Sequence, residues 1–397
     1  MLTFTRPNAR RAPAAPVPSS PFRSFLMGGF EGSAHRRPSG EQLDLIAATG
    51  HDRRAGADYH ALAGCGIRTV RDAFRWHLIE AAPGQYDWSS ALPMVRAARA
   101  AGVQPIWDLC HYGLPHDLDI WSPAFVDRFA RFCAAAARLL QNEGVDAPLL
   151  CPVNEISYWA WAGGDHAAMF PSARGRGMEL KRQLARAAVA GTRAVRGVTP
   201  GARFTMAEPL INVVVPPEAP RHAKRAAAAY RTAQFEAFDM VAGRLAPELG
   251  GAEDCLDIVG LNYYPDNQFF RGGAVLPLGH WMYQPLRDLL AEVHARYGRP
   301  MLLTETGAEG GNGPGWLRYV MGEVHGALDA GVPLQGVCLY PVMDYPGWRD
   351  NRHCRCGLLR VDQLWCERTL DTALARLVQD EAMALERRAW RADAAAE

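Results

Sequence analysis

Two glutamates close apolar runs in a way that suits hydrolytic chemistry. In Met301-Leu302-Leu303-Thr304-Glu305-Thr306-Gly307, a proline precedes four apolar or strand-forming residues, then comes a carboxylate, and a glycine ends the run. Pro148-Leu149-Leu150-Cys151-Pro152-Val153-Asn154-Glu155 has the same design. Each reads as a short buried strand that delivers an acid at its carboxyl end. Two carboxyls brought to one pocket can divide the work of nucleophile and proton donor between them. The plainer use of either acid is structural, as the partner of an arginine at a barrel rim.

The elements that must hold such a pair follow from the alternation of the chain. Strands are expected at residues 25–31, 67–71, 104–109, 149–153, 203–207, 256–261, 301–304 and 334–340. Helices are expected between and after them at 57–63, 93–101, 123–141, 178–195, 224–245, 282–297, 316–330 and 369–390. Phe125, Phe129 and Phe132 form a core stripe at helical spacing, and Gly102, Gly298 and Gly331 stand where helices should stop. Strict alternation through eight units, with no linker, argues an α/β fold with a single (β/α)8 TIM barrel over residues 22–397. An open doubly wound sheet would want a glycine-rich phosphate turn after its first strand, and Gly28-Gly29-Phe30-Glu31-Gly32 lacks that spacing.

Composition narrows the function classes. Lys and Arg number 43 against 42 for Asp and Glu, so no field favours nucleic acid or an anionic membrane. No apolar run reaches spanning length. Residues 1–21 are rich in Arg, Ala and Pro, lack the apolar core of a secretory signal, and read as a disordered lead-in. Nine scattered cysteines do not make a disulfide framework, and a reducing cytoplasm is expected. His353-Cys354-Arg355-Cys356, with Cys366 nearby, lacks the paired spacing of a zinc finger and reads as a loop carrying reduced thiols.

In such barrels chemistry collects at the carboxyl ends of the strands. Those ends carry Glu31 and His35, Arg71, Asp108 and His111, Asn154 and Glu155, Glu208, Asn262 and Tyr264, Glu305, and Asp344 with Trp348. Among these acids, Glu155 and Glu305 come from strands four and seven, which face each other across the pocket.

At this point the chain resembles glycoside hydrolase family 1, the β-glucosidase-like family of retaining barrel glycosidases. Val153-Asn154-Glu155 resembles the family's Asn-Glu motif, and Thr304-Glu305-Thr306-Gly307 its Thr-Glu-Asn-Gly. Gly260-Leu261-Asn262-Tyr263-Tyr264 matches Gly-x-Asn-Tyr-Tyr, and His111-Tyr112-Gly113-Leu114-Pro115 parallels His-Trp-Asp-x-Pro. The stretch from Arg71 to Trp76 parallels Arg-Phe-Ser-x-x-Trp, and Gly357 to Asp362 parallels Gly-Leu-x-x-Val-Asp. Six motifs run in consistent order from Phe25 to about Asp362. Three positions depart from the pattern. His35 stands at the family's sugar-gripping Gln, Tyr340 at its tryptophan floor, and Gly347 at the glutamate that binds the outer hydroxyls of glucose.

The resemblance implies a retaining β-glycosidase that cleaves O-glycosidic bonds, acts on a small-molecule glycoside or oligosaccharide, and needs no cofactor or metal. Glu305 would be the nucleophile, kept ionised by Arg71 and the Tyr264 hydroxyl, and Glu155 the general acid and base. Carboxyls about 5–5.5 Å apart would allow direct attack on the anomeric carbon. Asn154 would bind the sugar 2-hydroxyl, His111 and Trp348 would contact the sugar, and His35, Asn262 and Tyr340 would complete the wall. Related glycosidases carry a cis bond after the strand-eight aromatic, so Tyr340–Pro341 is expected to be cis. Two other readings stand beside this one. A non-catalytic carbohydrate-binding barrel would not require the glutamate pair. A metal-dependent barrel enzyme using His35, His51 and His111 would want a ligand spacing that these residues lack. No partner chain is specified.

Overall fold

The computed structural model describes residues 20–362, 364 and 367–394. Residues 1–19 of the expected lead-in, and Cys366, lie outside them. Eight strands follow one another as β1 (Leu26–Gly29), β2 (Thr69–Ala73), β3 (Gln104–Asp108), β4 (Leu149–Cys151), β5 (Arg203–Pro209), β6 (Ile258–Asn262), β7 (Met301–Thr306) and β8 (Leu334–Leu339). All pair in parallel, and they close in the order β1-β8-β7-β6-β5-β4-β3-β2. The main helices are α1 (His51–Gly64), α2 (Leu92–Ala100), α3 (Pro123–Asn142), α4 (Gly177–Arg196), α5 (Arg221–Thr232), α6 (Leu286–Tyr297), α7 (Gly313–Asp329) and α8 (Thr372–Ala394). The chain is a closed (β/α)8 barrel. Among the described residues no helix is long and apolar enough to cross a membrane.

Two separate apolar layers hold the barrel. Inside it, Met27, Ile106, Leu149, Ile258, Leu302 and Cys338 form a plug contributed by six strands, with Tyr340 packed against it. Outside it, the buried stripes of the helices cover the strands. In α3 the expected stripe is present: Phe125, Phe129 and Phe132 are fully buried, and Trp76 packs against all three rings. Burial of each such ring contributes about 1.5–3 kcal/mol. The neighbouring α4 approaches closely at Gly191, where a Cβ would lie 2.8 Å from the Cys133 sulfur.

The plug fills the amino-terminal part of the barrel, so polar side chains emerge only near the other end. A local irregularity decides what emerges from β7. Leu302 points inward, and simple alternation would turn Glu305 outward. The β6–β7 register shifts between Leu303 and Glu305, however. A bulge of this kind re-aims a side chain, and here both Thr304 and Glu305 reach the inner side.

Several expected elements differ in their bounds, the helix expected over 57–63 already starting at His51, and three of the differences have a visible cause. The helix expected over 224–245 breaks after Thr232 and resumes as Glu236–Val241. At the break, Gln234 turns its amide to the backbone of Ile211 and Arg231. The last helix starts at Thr372 rather than 369, because Arg368–Leu370 forms a strand antiparallel to Leu359–Val361. The first strand leaves the sheet after Gly29, which puts Glu31 on irregular chain.

Candidate active site

A cavity of about 320 Å³ opens at the carboxyl ends of the strands. Its walls include Glu31, His111, Asn154, Glu155, Tyr264, Glu305, Tyr340 and Trp348. Seven of these were candidates for sugar contact or catalysis on sequence grounds; Glu31 had been noted only as a strand-end acid.

The site is organised by Arg71, which is 1 % exposed. Its Nε and Nη2 donate to the two Asp108 oxygens, both at 2.9 Å. Nη1 donates to Glu305 Oε1 at 2.6 Å, and Nη2 also donates to Asn154 Oδ1 at 2.6 Å. The second Glu305 oxygen accepts from the Tyr264 hydroxyl at 2.8 Å. Bidentate and charge-assisted bonds of this kind fix geometry as well as energy. Glu305 is thereby held from β2 and from the chain just past β6 while its carboxylate faces the cavity.

Glu155 is held by different partners. Asn262 donates to Oε1 at 2.8 Å, and Asn262 is itself oriented by the Thr304 hydroxyl at 2.6 Å. The Tyr112 hydroxyl donates to Oε2 at 2.5 Å. Glu155 adopts φ of 43°, a left-handed conformation, and leads into the short helix Ile156–Trp159. Burial, and then the charge of Glu305, raise its pKa to about 8, against the hydrogen bonds from Tyr112 and Asn262. A carboxyl of this kind is protonated at neutral pH and able to donate.

The competing acids are committed elsewhere. Glu208 accepts the Ser157 N–H at 3.0 Å and so pins the turn that follows Glu155; burial raises its pKa to about 7. Asp344 accepts the backbone N–H groups of Cys356, Gly357 and Val361 and pairs with Arg360. Neither lines the cavity. His353, Cys354 and Cys356 sit on the hairpin that Asp344 ties down. Among the described residues no group of three or more His, Cys, Asp or Glu side chains is arranged to hold a metal ion.

The other candidates divide. His111 lines the cavity with Nδ1 on Asp108 at 2.8 Å and Nε2 taking the Asn154 amide at 3.0 Å. Asn154, expected at the sugar 2-hydroxyl, gives its amide hydrogens to His111 and to the Tyr112 oxygen. Tyr340 faces the cavity across a cis Tyr340–Pro341 bond, as expected. Its ring lies over Gly29, where a Cβ would strike it, and its hydroxyl accepts the Gly32 N–H at 3.1 Å. Trp348 forms part of the outer wall.

His35 does not reach the wall. The chain bends after Glu31, with the Ala34 N–H bonded to the His111 carbonyl. The His35 ring turns to the Ser33 hydroxyl at 2.7 Å and packs 4.9 Å from Trp348. Burial, with the charges of Arg37 and His111, lowers its pKa to about 4, so it serves as a neutral support for Trp348. His51 is farther away, buried between Asp58 and Asp72. The three histidines of the metal reading are therefore not brought together.

Of the wall residues that the sequence does not single out, two bear directly on the carboxyl chemistry. Tyr112 stands where the resembling motif has tryptophan, and only a tyrosine could supply the hydroxyl that meets Glu155. Glu31 was visible as a strand-end acid but was passed over in favour of His35.

No protein-family model matches the chain, and no curated protein matches it by sequence. Solved structures do. The family 1 β-glucosidase from Thermotoga maritima superposes with a TM-score of 0.73 at 17% identity, covering 91% of this chain and 97% of that one. The AHE enzyme from Alicyclobacillus herbarius gives 0.75 at 18% identity, with 91% and 98% covered. The Thermotoga maritima β-glucosidase in complex with glucoimidazole gives 0.72 at 18%, with 90% and 98% covered. The chain is built on the fold of the family 1 β-glucosidases.

Proposed function

We propose that this protein is a retaining β-glycosidase that hydrolyses O-glycosidic bonds of a small glycoside or oligosaccharide. The observation that carries the reading is the unequal treatment of two carboxyls on one cavity. Glu305 meets a guanidinium and a phenol, whereas Glu155, half-buried, meets no cation and is raised to about 8 by desolvation and the charge of Glu305. That difference assigns nucleophile to the first and proton donor to the second.

In the first step Glu305 attacks the anomeric carbon while Glu155 passes its proton to the departing oxygen. The glycosyl-enzyme ester removes the charge of Glu305, which is one of the causes holding the Glu155 proton. With that cause gone, and with Tyr112 and Asn262 still donating to it, Glu155 takes a proton from the water that attacks the anomeric carbon, and the ester bond breaks to release the Glu305 carboxylate. Arg71 keeps Asp108 and Asn154 in place throughout. The non-catalytic binding barrel is the competing reading, favoured by the departures at Tyr340 and Gly347. Free cysteines, seven of the eight described being buried, suit the cytoplasmic setting inferred from the sequence.

The test is a panel of chromogenic β-glycosides, with the first-formed anomer followed by NMR. Hydrolysis that releases the β-anomer first supports the reading. A binding-only outcome, or an α-anomer released first, contradicts it.

A further inference from the structure

Resting on the reading of the cavity as a glycoside site, we infer that Glu31 recognises a positively charged amino group on the glycone, so that the preferred substrates are glycosides of amino sugars. Glu31 follows β1 and is 7 % exposed. Its Oε1 accepts the Ser33 N–H at 3.0 Å. Among the described residues no donor reaches Oε2, and the side chain faces the cavity.

The charges around it leave this carboxylate without a counterion of its own: His111 and Arg71 act on it, but both are engaged by other acids. Arg71 pairs with Asp108 and Glu305. His111 holds Asp108 through Nδ1, and its Nε2 is 3.8 Å from Glu31 and already receives the Asn154 amide. Even a protonated His111 only balances this group of four, two cations against two anions. Glu31 remains over. Glu155, Glu305 and Asp266 also line the cavity, and no lysine or arginine does among its described lining residues. A hydroxyl could be bound by a neutral amide or a carbonyl. A carboxylate buried without a cation of its own is costly, and burial is the main cause that raises Glu31 to about 7, against the charge of His111. An ammonium group would supply both the missing charge and a charge-assisted hydrogen bond.

The fold also says which part of the substrate carries the amine. β1 lies across the barrel from β5. A second cavity of about 520 Å³ adjoins the first at Tyr158, Pro209, Ile211, Asp266 and Phe269, beyond the ends of β4 to β6. Its lining is mostly apolar, and it gives the leaving group room on the Glu155 side. The glycone then lies toward β1 and Glu31. The same negative wall disfavours uronic-acid and phosphorylated glycones.

The experiment uses the full chain and two readouts. Calorimetry measures binding of methyl β-glycosides of gluco- and galacto-configuration with an amine at C2, C3, C4 or C6. Each is compared with its hydroxyl parent and its N-acetyl derivative. Turnover of the matching 4-nitrophenyl glycosides is measured in parallel. The proposal expects at least one free amine to bind about tenfold or more tightly than its parent, with the gain lost on N-acetylation and the amine-to-parent ratio falling toward one in Glu31→Gln. N-acetylation tests the charge without any variant, so a poorly folding Glu31→Gln leaves the result decisive. If amines bind in this way but no glycoside is hydrolysed, the recognition stands and the glycosidase reading fails. If parents are hydrolysed and no amine shows the gain, the glycosidase reading stands and this proposal is overturned. If no amine gains in binding and nothing is hydrolysed, both fall.

Discussion

The two sides of the cavity are made differently. Around Glu155 and Glu305, the partners come from barrel strands or from residues just beyond them: Arg71 on β2, Asp108 on β3, Asn262 on β6, Thr304 on β7. Each donor or acceptor is answered by another, so moving one disturbs several. Toward β1 and β8 the wall is irregular chain. Glu31, Tyr340 and Trp348 lie past the strand ends, and Arg37 ties the Gly347–Trp348 backbone through single contacts. The side proposed for cleavage is thus positioned by the barrel itself, whereas the side proposed for recognition can change without disturbing it. This fits the departures at His35, Tyr340 and Gly347, all of which lie on chain beyond β1 or β8.

Substitutions on the two sides should therefore differ in size. Glu305→Ala removes the nucleophile and should lower kcat by on the order of 10⁴ to 10⁶, measured on whichever glycoside the panel identifies. Near-normal turnover would end the assignment. Glu155→Ala should cost about 10² to 10⁴ with a poor leaving group and much less with a good one. Azide should restore turnover in that variant with retained configuration, because it attacks without a general base.

Tyr112→Phe probes the link between burial and proton donation. The Tyr112 hydrogen bond lowers the Glu155 pKa, so its loss should raise it. The acid must be protonated, so kcat/KM of the wild type should fall as pH rises through about 8, and in Tyr112→Phe this fall should move to higher pH. The rate at neutral pH should drop by about tenfold, the scale of one hydrogen bond to a charged group. An unmoved alkaline limb would remove Tyr112 from the proton-donor assembly.

Gly347→Glu should have the smallest effect. A Cβ at Gly347 points toward Asp350, Arg352 and Cys354, not toward the cavity. Restoring the glutamate of the resembling motif should change kcat/KM on a β-glucoside by less than about threefold. A large gain would show that the loop after β8 still presents this position to the sugar, and the contrast between the two sides would weaken.

The sequence carried most of the barrel, and it marked the two glutamates that meet at the cavity, because both rest on local signals. Apolar runs stopped by proline and glycine mark the strands, and an acid at the end of such a run marks a candidate without saying which way it faces, as Glu208 shows by turning to the Ser157 N–H. What the sequence did not carry depends on backbone direction. Tyr112, at φ of 67°, turns its hydroxyl back to Glu155, which no spacing rule foretells. His35 aligns by count with a sugar-binding position, but the bend after Glu31 sends it behind Trp348 and leaves Glu31 on the wall. The bulge in β7 is invisible in Leu303-Thr304-Glu305, and the break in the helix expected over 224–245 depends on what Gln234 meets at Ile211.

The central claim is that Glu305 forms a covalent glycosyl-enzyme with Glu155 as its acid and base. A 2-fluoro glycoside with a good leaving group, built on a glycone that the enzyme demonstrably hydrolyses, tests it most directly. Fluorine disfavours the oxocarbenium-like transition state while the leaving group keeps the first step faster than the second. Intact mass should rise by one fluoroglycosyl unit, peptide mapping should place it on Glu305 within residues 301–307, and Glu305→Ala should take up none. Label on Glu208 or Asp344, or an inverted product from the parent glycoside, would contradict the account.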